Sequence, residues 1–517
     1  MVVDAGGLDV ALFVYDSAFF ESVATGFQIF LDNIIWVFLG VLFGMAIGII
    51  PGMGGIVALS ILIPFTIGLD QYQAFAVLTG AMGATTFAGS ITGILISTPG
   101  TVSNAATILD GYPLTQKDES ERAIAASALS SAAGAAVGVI IFMAMIPLII
   151  DLALLFGPAE RFWLVVYALL VIPLVVGNKP LMGVILSFIG ALIGLIGRSP
   201  QTGEPRLTFD MLYLWDGVQL LPPIIGLFAL AELIRLASSK QARIVEGRTL
   251  KSASKKIDGI NDVLTHRWLW LRCTLIGFFV GVLPGVGGSG ATFISYTHAV
   301  QSAKDKTGFG SGRIEGVIAS ESANDAKDGG QLVPTLGLGI PGSGSMAVFL
   351  GALIAHGITP SPLLIRNNLE LVLVIAFALL ASNIMTSVFG LLFTRPLTKL
   401  LDIPISRLLP LITILALTST FVVRNSITDV FVAVLFGIFG LVLIYLNISR
   451  IPFVIAFILV GILEENYHLT SALARGTNVE AFFGPTISQL IVVTIVLSII
   501  LHQFNVIGFV RKRLSRL

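Results

Sequence analysis

Four ionisable side chains crowd one octapeptide, Glu321-Ser322-Ala323-Asn324-Asp325-Ala326-Lys327-Asp328, and the chain then runs from Gly329 to Ile365 without another Asp, Glu, Lys or Arg. Carboxylates at the edge of such an apolar stretch can carry protons or ligate a cation. Glu321, Asn324 and Asp325 are therefore the candidates for ion coupling. A helix capped where it meets water accounts for the same residues. The sequence just before it, with Lys304, Asp305, Lys306 and Arg313 among Gly308, Gly310 and Gly312, reads as a solvated loop.

Four Pro-Gly pairs interrupt apolar sequence, at Pro51-Gly52, Pro99-Gly100, Pro284-Gly285 and Pro341-Gly342. Pro lacks an amide donor and Gly loosens the backbone, so each pair is expected to break a helix. The half-helix that follows offers unpaired amides and a dipole that favour negative charge. At the first and third breaks Gly52, Gly54, Gly55, Gly285, Gly287, Gly288 and Ser289 would let those amides approach a ligand. At the second and fourth, Thr98, Gly100, Thr101, Ser103 and Asn104 match Gly342, Ser343 and Ser345 as sources of amide and hydroxyl groups. No Lys or Arg occurs at any of the four. The charge of an anionic substrate is thus expected to meet amides and hydroxyls, not an arginine clamp. The same oxygen-rich groups suit a coupling cation, a sodium ion or a proton that is itself carried; no resident cofactor is expected, and the residues name no metal.

The elements that must hold these groups are membrane helices. Of 517 residues 55% are hydrophobic and only 12% charged, and the mean hydropathy is +0.95, outside the range of soluble domains. Between Asn33 and Leu109 the single charged side chain is Asp70. At about 20 residues per crossing, the apolar runs give an all-α polytopic protein of about 10–12 membrane segments, some of them discontinuous or re-entrant. Equal numbers of basic and acidic residues, 30 of each, give no reason to expect nucleic acid as a partner. A single cysteine, Cys273, excludes an intrachain disulfide and reads as a small apolar filler.

A repeat organises the chain. Gly44-x3-Gly48-x2-Pro51-Gly52-x-Gly54-Gly55 recurs as Gly277-x3-Gly281-x2-Pro284-Gly285-x-Gly287-Gly288, and each copy is followed by its second Pro-Gly pair. No Lys or Arg precedes Lys117, and Asp4, Asp9, Asp16 and Glu21 make the start acidic. The segment Ser239 to Arg272 holds Lys240, Arg243, Arg248, Lys251, Lys255, Lys256, Arg267 and Arg272, and the chain ends in Arg511-Lys512-Arg513-Leu514-Ser515-Arg516-Leu517. Positive loops stay in the cytoplasm. The expected order is an acidic outer segment 1–26, a first membrane repeat 27–238, a basic cytoplasmic linker 239–268, a second repeat 269–510 and a cytoplasmic tail 511–517. One copy then starts outside and the other inside, which makes the repeats inverted in topology, with a parallel arrangement as the alternative. The first residues lack the basic start and short apolar core of a cleavable signal peptide.

Gly287-Gly288-Ser289-Gly290 also fits the pattern around the nucleophile of rhomboid-like intramembrane serine proteases. Such a serine needs a base. His298 and His356 are the nearest histidines, neither at a diagnostic spacing, and Ile56 stands where the first repeat would need the serine. Neither an H-E-x-x-H zinc motif nor a P-loop is present. The residues favour a carrier over an enzyme.

Pro51-Gly52-Met53-Gly54-Gly55, Gly89-Ser90-Ile91-Thr92, Asp110-Gly111-Tyr112-Pro113, Glu315-Gly316-Val317, Glu321-Ser322-Ala323-Asn324 and Leu338-Gly339-Ile340-Pro341-Gly342 resemble, in content and order, the large permease subunit of the tripartite tricarboxylate transporter family. The resemblance spans about residues 30 to 500. It implies a cation- or proton-coupled importer in the bacterial inner membrane that works with a small membrane subunit and a periplasmic solute-binding protein. Its substrates would be carboxylates, tricarboxylates, dicarboxylates or aromatic acids. It carries substrate and coupling roles onto the Pro-Gly regions and onto Glu321 and Asn324. The chain departs from the family pattern at Ser320, where Pro is usual, and at Asp325, Lys327 and Asp328, where small or amide residues are usual. A stand-alone carboxylate carrier or channel remains the nearest alternative.

Overall fold

The computed structural model describes residues 17–175, 179–238, 255–285, 287–360, 362–393, 405–474 and 477–503. Asp4, Asp9 and Asp16, most of the basic linker (Lys240, Arg243, Arg248 and Lys251) and the tail 511–517 lie outside them. Helices account for nearly all of the regular structure: α1 Ser17–Asp32, α2 Ile34–Gly48, α3 Gly55–Thr66, α4 Gln71–Ile96, α5 Ala105–Gln116, α6 Ser120–Leu154, α7 Pro158–Val175 and α8 Pro180–Gly194. After the two-residue strands Gly197–Arg198 and Pro205–Arg206 come α9 Leu221–Ser238, α10 Lys256–Thr265, α11 Arg267–Val282, α12 Gly287–Ser302 and α13 Ile314–Gly337. The remainder are α14 Gly344–Ala355, α15 Pro362–Asn367, α16 Leu369–Leu392, α17 Ile405–Val422, α18 Ile427–Tyr445, α19 Ile451–Leu473, α20 Asn478–Phe483 and α21 Thr486–Gln503.

Among the described residues six helices are long and apolar enough to cross a membrane, seven if α1 and α2, bent by 62° at Asn33, are counted as one. Five shorter apolar helices accompany them. The chain is an all-α polytopic membrane protein. Its helices fall into two compact units, one formed by the chain up to Asp151 with Leu221–Leu441, the other by Leu152–Leu220 with the chain from Val442.

All four expected breaks are present in the larger unit. α2 stops at Gly48 and α3 starts at Gly55; between them Gly52 takes φ +80°, and Gly285, after α11, takes +83°. Both values lie where only glycine is at ease. α4 ends with Ser97 in the left-handed conformation, and a 3-10 turn at Val102–Asn104 leads into α5. α13 ends at Gly337 and α14 begins behind Ser343, whose hydroxyl accepts from the Met346 amide at 3.3 Å. Asp70, the lone charge of the first apolar stretch, caps α4 by accepting from the Tyr72 and Gln73 amides at 2.9 and 3.1 Å.

Glycine sets two close helix crossings. A Cβ on Gly44 would lie 2.8 Å from Ala81 Cα, and one on Gly48 would lie 2.9 Å from Thr85 Cα, so α2 rides directly on the α4 backbone. In the second copy Gly277 meets Ala323 Cα at 2.5 Å and Gly281 meets Lys327 Cα at 2.9 Å, so α11 rides on α13 in the same way. Every residue of α13 except the half-buried Glu315 is buried, as are Ala74 to Leu95 of α4. α6 covers α13 through Gly134 against Ser322 and Gly138 against Gly329; α16 covers α4 through Ser382 against Gly83. Cys273 is buried with Ala299 and Ala319, as an apolar filler would be.

In the smaller unit α8 lies on α19 through Gly190 at Phe453 and Gly194 at Phe457. Trp163 of α7 donates to the Phe482 carbonyl at 2.8 Å, and Arg206 pairs with Glu464 at 2.6 Å. Replacing Gly44 or Gly277 by Ala should destabilise the purified chain by about 1–3 kcal/mol, because the neighbour at each crossing is backbone and cannot yield. Gly461→Ala, where a Cβ meets nothing within 4 Å, serves as the control in thermal unfolding and should leave the midpoint equal or higher.

Candidate functional site

The four breaks do not lie apart along the chain's path but interlock in pairs. Within the first copy the Gly52 amide donates to the Pro99 carbonyl at 3.4 Å, and a Cβ on Gly54 would overlap the Thr101 methyl. Thr101 and Asn104 form a capping box, with Asn104 Oδ1 accepting from the Thr101 amide at 3.0 Å and the Thr101 and Ser103 hydroxyls 2.7 Å apart. Gly100 lies against the Gly89 and Gly48 backbones, its amide donating to Gly89 O at 3.3 Å. Its counterpart Gly342 lies against the Gln331 side chain, and Gln331 Oε1 accepts from the Ser343 hydroxyl at 2.9 Å.

The two copies also reach into each other. A Cβ on Gly55 would be 3.0 Å from Thr85 Oγ1 and 3.1 Å from Ser345 Oγ. One on Gly288, the repeat partner of Gly55, would overlap Lys327 Cε and lie 2.9 Å from Ser103 Cβ. Ser103 and Ser345 each stand three residues beyond their Pro-Gly pair, and Thr85 and Lys327 are the residues on which Gly48 and Gly281 ride. The clusters Gly55–Thr85–Ser345 and Gly288–Lys327–Ser103 are therefore equivalent, each built from both copies. They differ at one position, where one has a threonine and the other a lysine.

The octapeptide is not a helix start at a water interface. α13 begins seven residues before Glu321, and Glu321, Asn324, Asp325, Lys327 and Asp328 are all buried. Asp110, from the Asp-Gly-Tyr-Pro motif, fixes the true start of α13. Its carboxylate accepts from the Gly312 and Arg313 amides at 2.8 and 2.9 Å and from Tyr296 Oη at 2.9 Å.

Glu321 accepts hydroxyls from three helices, Ser90 at 2.9 Å and Thr107 on one oxygen, Ser127 at 2.8 Å and Ser131 at 3.2 Å on the other. Asn104 Nδ2 donates in turn to Ser90 Oγ at 2.6 Å and to Thr86 O at 2.9 Å. Glu321 thus joins the second break to α13 with its acceptor capacity filled. One turn on, the side-chain N and O of Asn324 and both carboxylate oxygens of Asp325 are buried without a hydrogen-bond partner. These are the groups with capacity left for a ligand. Lys327 Nζ pairs with Asp328 Oδ1 at 2.8 Å, and Thr86 Oγ1 stands 3.5 Å from the other Asp328 oxygen.

Several expected contacts are directed elsewhere. The Thr98 hydroxyl donates to its own neighbour Ile96 O at 3.2 Å, and Gly52 faces the Glu232 and Arg235 side chains of α9. Gly285 is buried at its turn, whereas a Cβ on Gly287 would meet no atom within 4 Å, which leaves open space beside Gly288. The absence of Lys and Arg from the breaks holds for the sequence and not for the space around them, since Lys327 arrives at the third break from α13 and Arg235 at the first from α9. Thr85, Thr86, Ser90, Thr107, Ser127, Ser131 and Gln331 were also not identified from the sequence. Among the described residues there is no cluster of three or more His, Cys, Asp or Glu that could hold a metal.

Ser289 has no base. His298 lies on the same helix nine residues on, roughly 13 Å along the axis, and His356 is engaged with Thr66 Oγ1 at 2.9 Å.

The chain matches the Tripartite tricarboxylate transporter TctA family over residues 34–455. It belongs to that family. TctA proteins are transporters and not enzymes, and the chain is a large transporter subunit of this kind. An uncharacterized 52.8 kDa protein in the TAR-I ttuC' 3' region of Agrobacterium vitis is similar at 31% identity over 488 residues, 92% of this chain and 94% of that protein. An uncharacterized protein in the TAR-II ttuC' 3' region of the same organism is 36% identical over 200 residues, 39% of this chain and 83% of that protein. No solved structure matches.

Glu321→Gln and Asp325→Asn should separate the two kinds of carboxylate. The first puts an NH2 donor where two of the four hydroxyls now donate and should cost about 1–3 kcal/mol of stability. The second removes a carboxylate that has no partner to lose and should leave stability equal or higher. Thermal unfolding of the detergent-purified chain reads both.

Proposed function

We propose that this chain is the translocating subunit of a secondary importer that moves a small organic anion, a tricarboxylate, dicarboxylate or aromatic carboxylate, across the bacterial inner membrane. The observation that carries this reading is the pair of equivalent clusters, Gly55–Thr85–Ser345 and Gly288–Lys327–Ser103, each made from both copies. A carboxylate held there meets the first amides of α3 or α12, the hydroxyls of Ser103 and Ser345, and the Lys327 ammonium. The amides and dipole of a half-helix favour an anion without a mobile side chain, and backbone left unpaired at membrane depth is tolerated where it lines such a cavity.

The duplicated elements serve alternating access. With the copies inverted, the N-terminus outside and the C-terminus cytoplasmic, exchanging the conformations of the two halves turns an outward-open carrier into an inward-open one. The breaks are where each half flexes. A periplasmic solute-binding protein delivers the anion, a small membrane subunit completes the assembly, and a sodium or proton gradient drives import.

Uptake of labelled citrate, succinate and benzoate into cells expressing all three components tests the reading. At least one should accumulate, only when the binding protein is present, and the small subunit should co-purify with this chain. Full uptake by this chain alone in liposomes would overturn the tripartite arrangement in favour of a stand-alone carrier. Accumulation of none of the three would overturn the substrate class. Ser345→Ala should raise the KM of the transported acid several-fold while Thr98→Ala, which alters only a local backbone contact, should leave it unchanged.

A further inference from the structure

We propose that the buried Lys327–Asp328 ion pair is the element that ties anion uptake to a cation: the substrate's carboxylate replaces Asp328 on Lys327 Nζ, and the released Asp328 takes one positive charge together with Asp325 and Asn324. This rests on the carrier function proposed above and adds to it a residue-level coupling step.

The geometry carries it in three parts. Lys327 is the point at which the equivalent clusters differ, so the paired sites contain one fixed cation. Its stem lies against Gly288 of one copy, where Ser103 of the other also packs, beside the open space at Gly287. Its ammonium is held by a neighbouring carboxylate at 2.8 Å, with both side chains less than a tenth exposed. Asp328 thus occupies the position on Lys327 Nζ that an arriving carboxylate would take.

The second part is charge. Lys327 and Asp328 compensate each other. A substrate carboxylate on Lys327 leaves Asp328 as an extra buried anion, and stripping an unpaired charge of solvent costs several kcal/mol even after relaxation. The anion can therefore settle only if a positive charge comes with it.

The third part is a place for that charge. Asp325, one turn before Asp328, has no hydrogen-bond partner on either oxygen, and Asn324 has none on its side-chain oxygen or nitrogen. Both residues are at most 1% exposed. The polar groups around Asp325 are Asp328, Lys327, Glu321 and Ser131, and those around Asp328 are Lys327, Asp325 and Thr86. Carboxylate and amide oxygens suit a hard monovalent cation, and a carboxylate alone suits a proton. Either supplies the one charge that the exchange requires.

The test is uptake by the complete transporter of whichever of labelled citrate, succinate and benzoate the unaltered protein moves fastest, with sodium varied at fixed pH and pH varied at fixed sodium. The unaltered protein should respond at least tenfold to one of the two, which identifies the cation. Asp328→Asn should flatten that response to less than about twofold, because no carboxylate is released. Lys327→Gln should raise KM at least tenfold. Should Lys327→Gln fail to fold for want of a counter-charge, the neutral pair Lys327→Gln with Asp328→Asn keeps the question answerable, since it should fold, show the raised KM and lack the cation response. An Asp328→Asn protein with the full cation response, a folded double variant with unchanged KM, or an unaltered protein indifferent to both cations would each overturn the exchange and leave the carrier function standing. Failure of the unaltered protein to move any of the three acids would remove the carrier function and the exchange with it.

Discussion

The structure depends on keeping α13 away from lipid. Four charged residues, Glu321, Asp325, Lys327 and Asp328, lie within two turns of this helix, and a charged side chain at the middle of a membrane helix disfavours insertion by about 2.5–3.5 kcal/mol. The few strongly apolar residues of α13, Ile318, Leu332, Val333 and Leu336 among them, return about 0.3–0.6 kcal/mol each. Such a helix has no stable place facing lipid, and its burial from Gly316 to Gly337 is the solution adopted. It has to be enclosed by neighbours that supply hydrogen bonds as well as contact.

That requirement accounts for the character of those neighbours. α6 approaches through Gly134 and Gly138 and supplies Ser127 and Ser131 to Glu321; α11 approaches through Gly277 and Gly281. Without lipid-expelling force between apolar faces, small residues and hydroxyls are what hold membrane helices together. The same spacing of glycines on α2 brings α4 to the equivalent place in the first copy, yet α4 is uncharged. One scaffold therefore encloses two central helices of opposite polarity. The asymmetry between the two central helices sits at Thr85 and Lys327.

Glu321 and the pair Lys327–Asp328 divide the labour of the polar core. Glu321 is saturated by hydroxyls from three helices and fastens the second break, through Ser90 and Asn104, to α13. Asp325 and Asn324 have spare capacity in the same turn.

The sequence by itself determined the membrane class, the duplication, the positions of the four breaks and the family, because each of these follows from local composition or from spacing along the chain. Hydropathy is a sum over neighbours in sequence, and a Pro-Gly pair breaks a helix wherever it falls. It did not disclose that Lys327 stands at a break formed by Gly288 and Ser103, or that Glu321 is already occupied while Asp325 is not. Lys327 is nearly forty residues from Gly288 in sequence and more than two hundred from Ser103. Only the crossing of α11 over α13, set by two glycines that admit backbone contact, brings them together. Tertiary structure decided which of the polar residues are partners, because a hydrogen bond or an ion pair depends on distances of about 3 Å that no pattern of residues fixes.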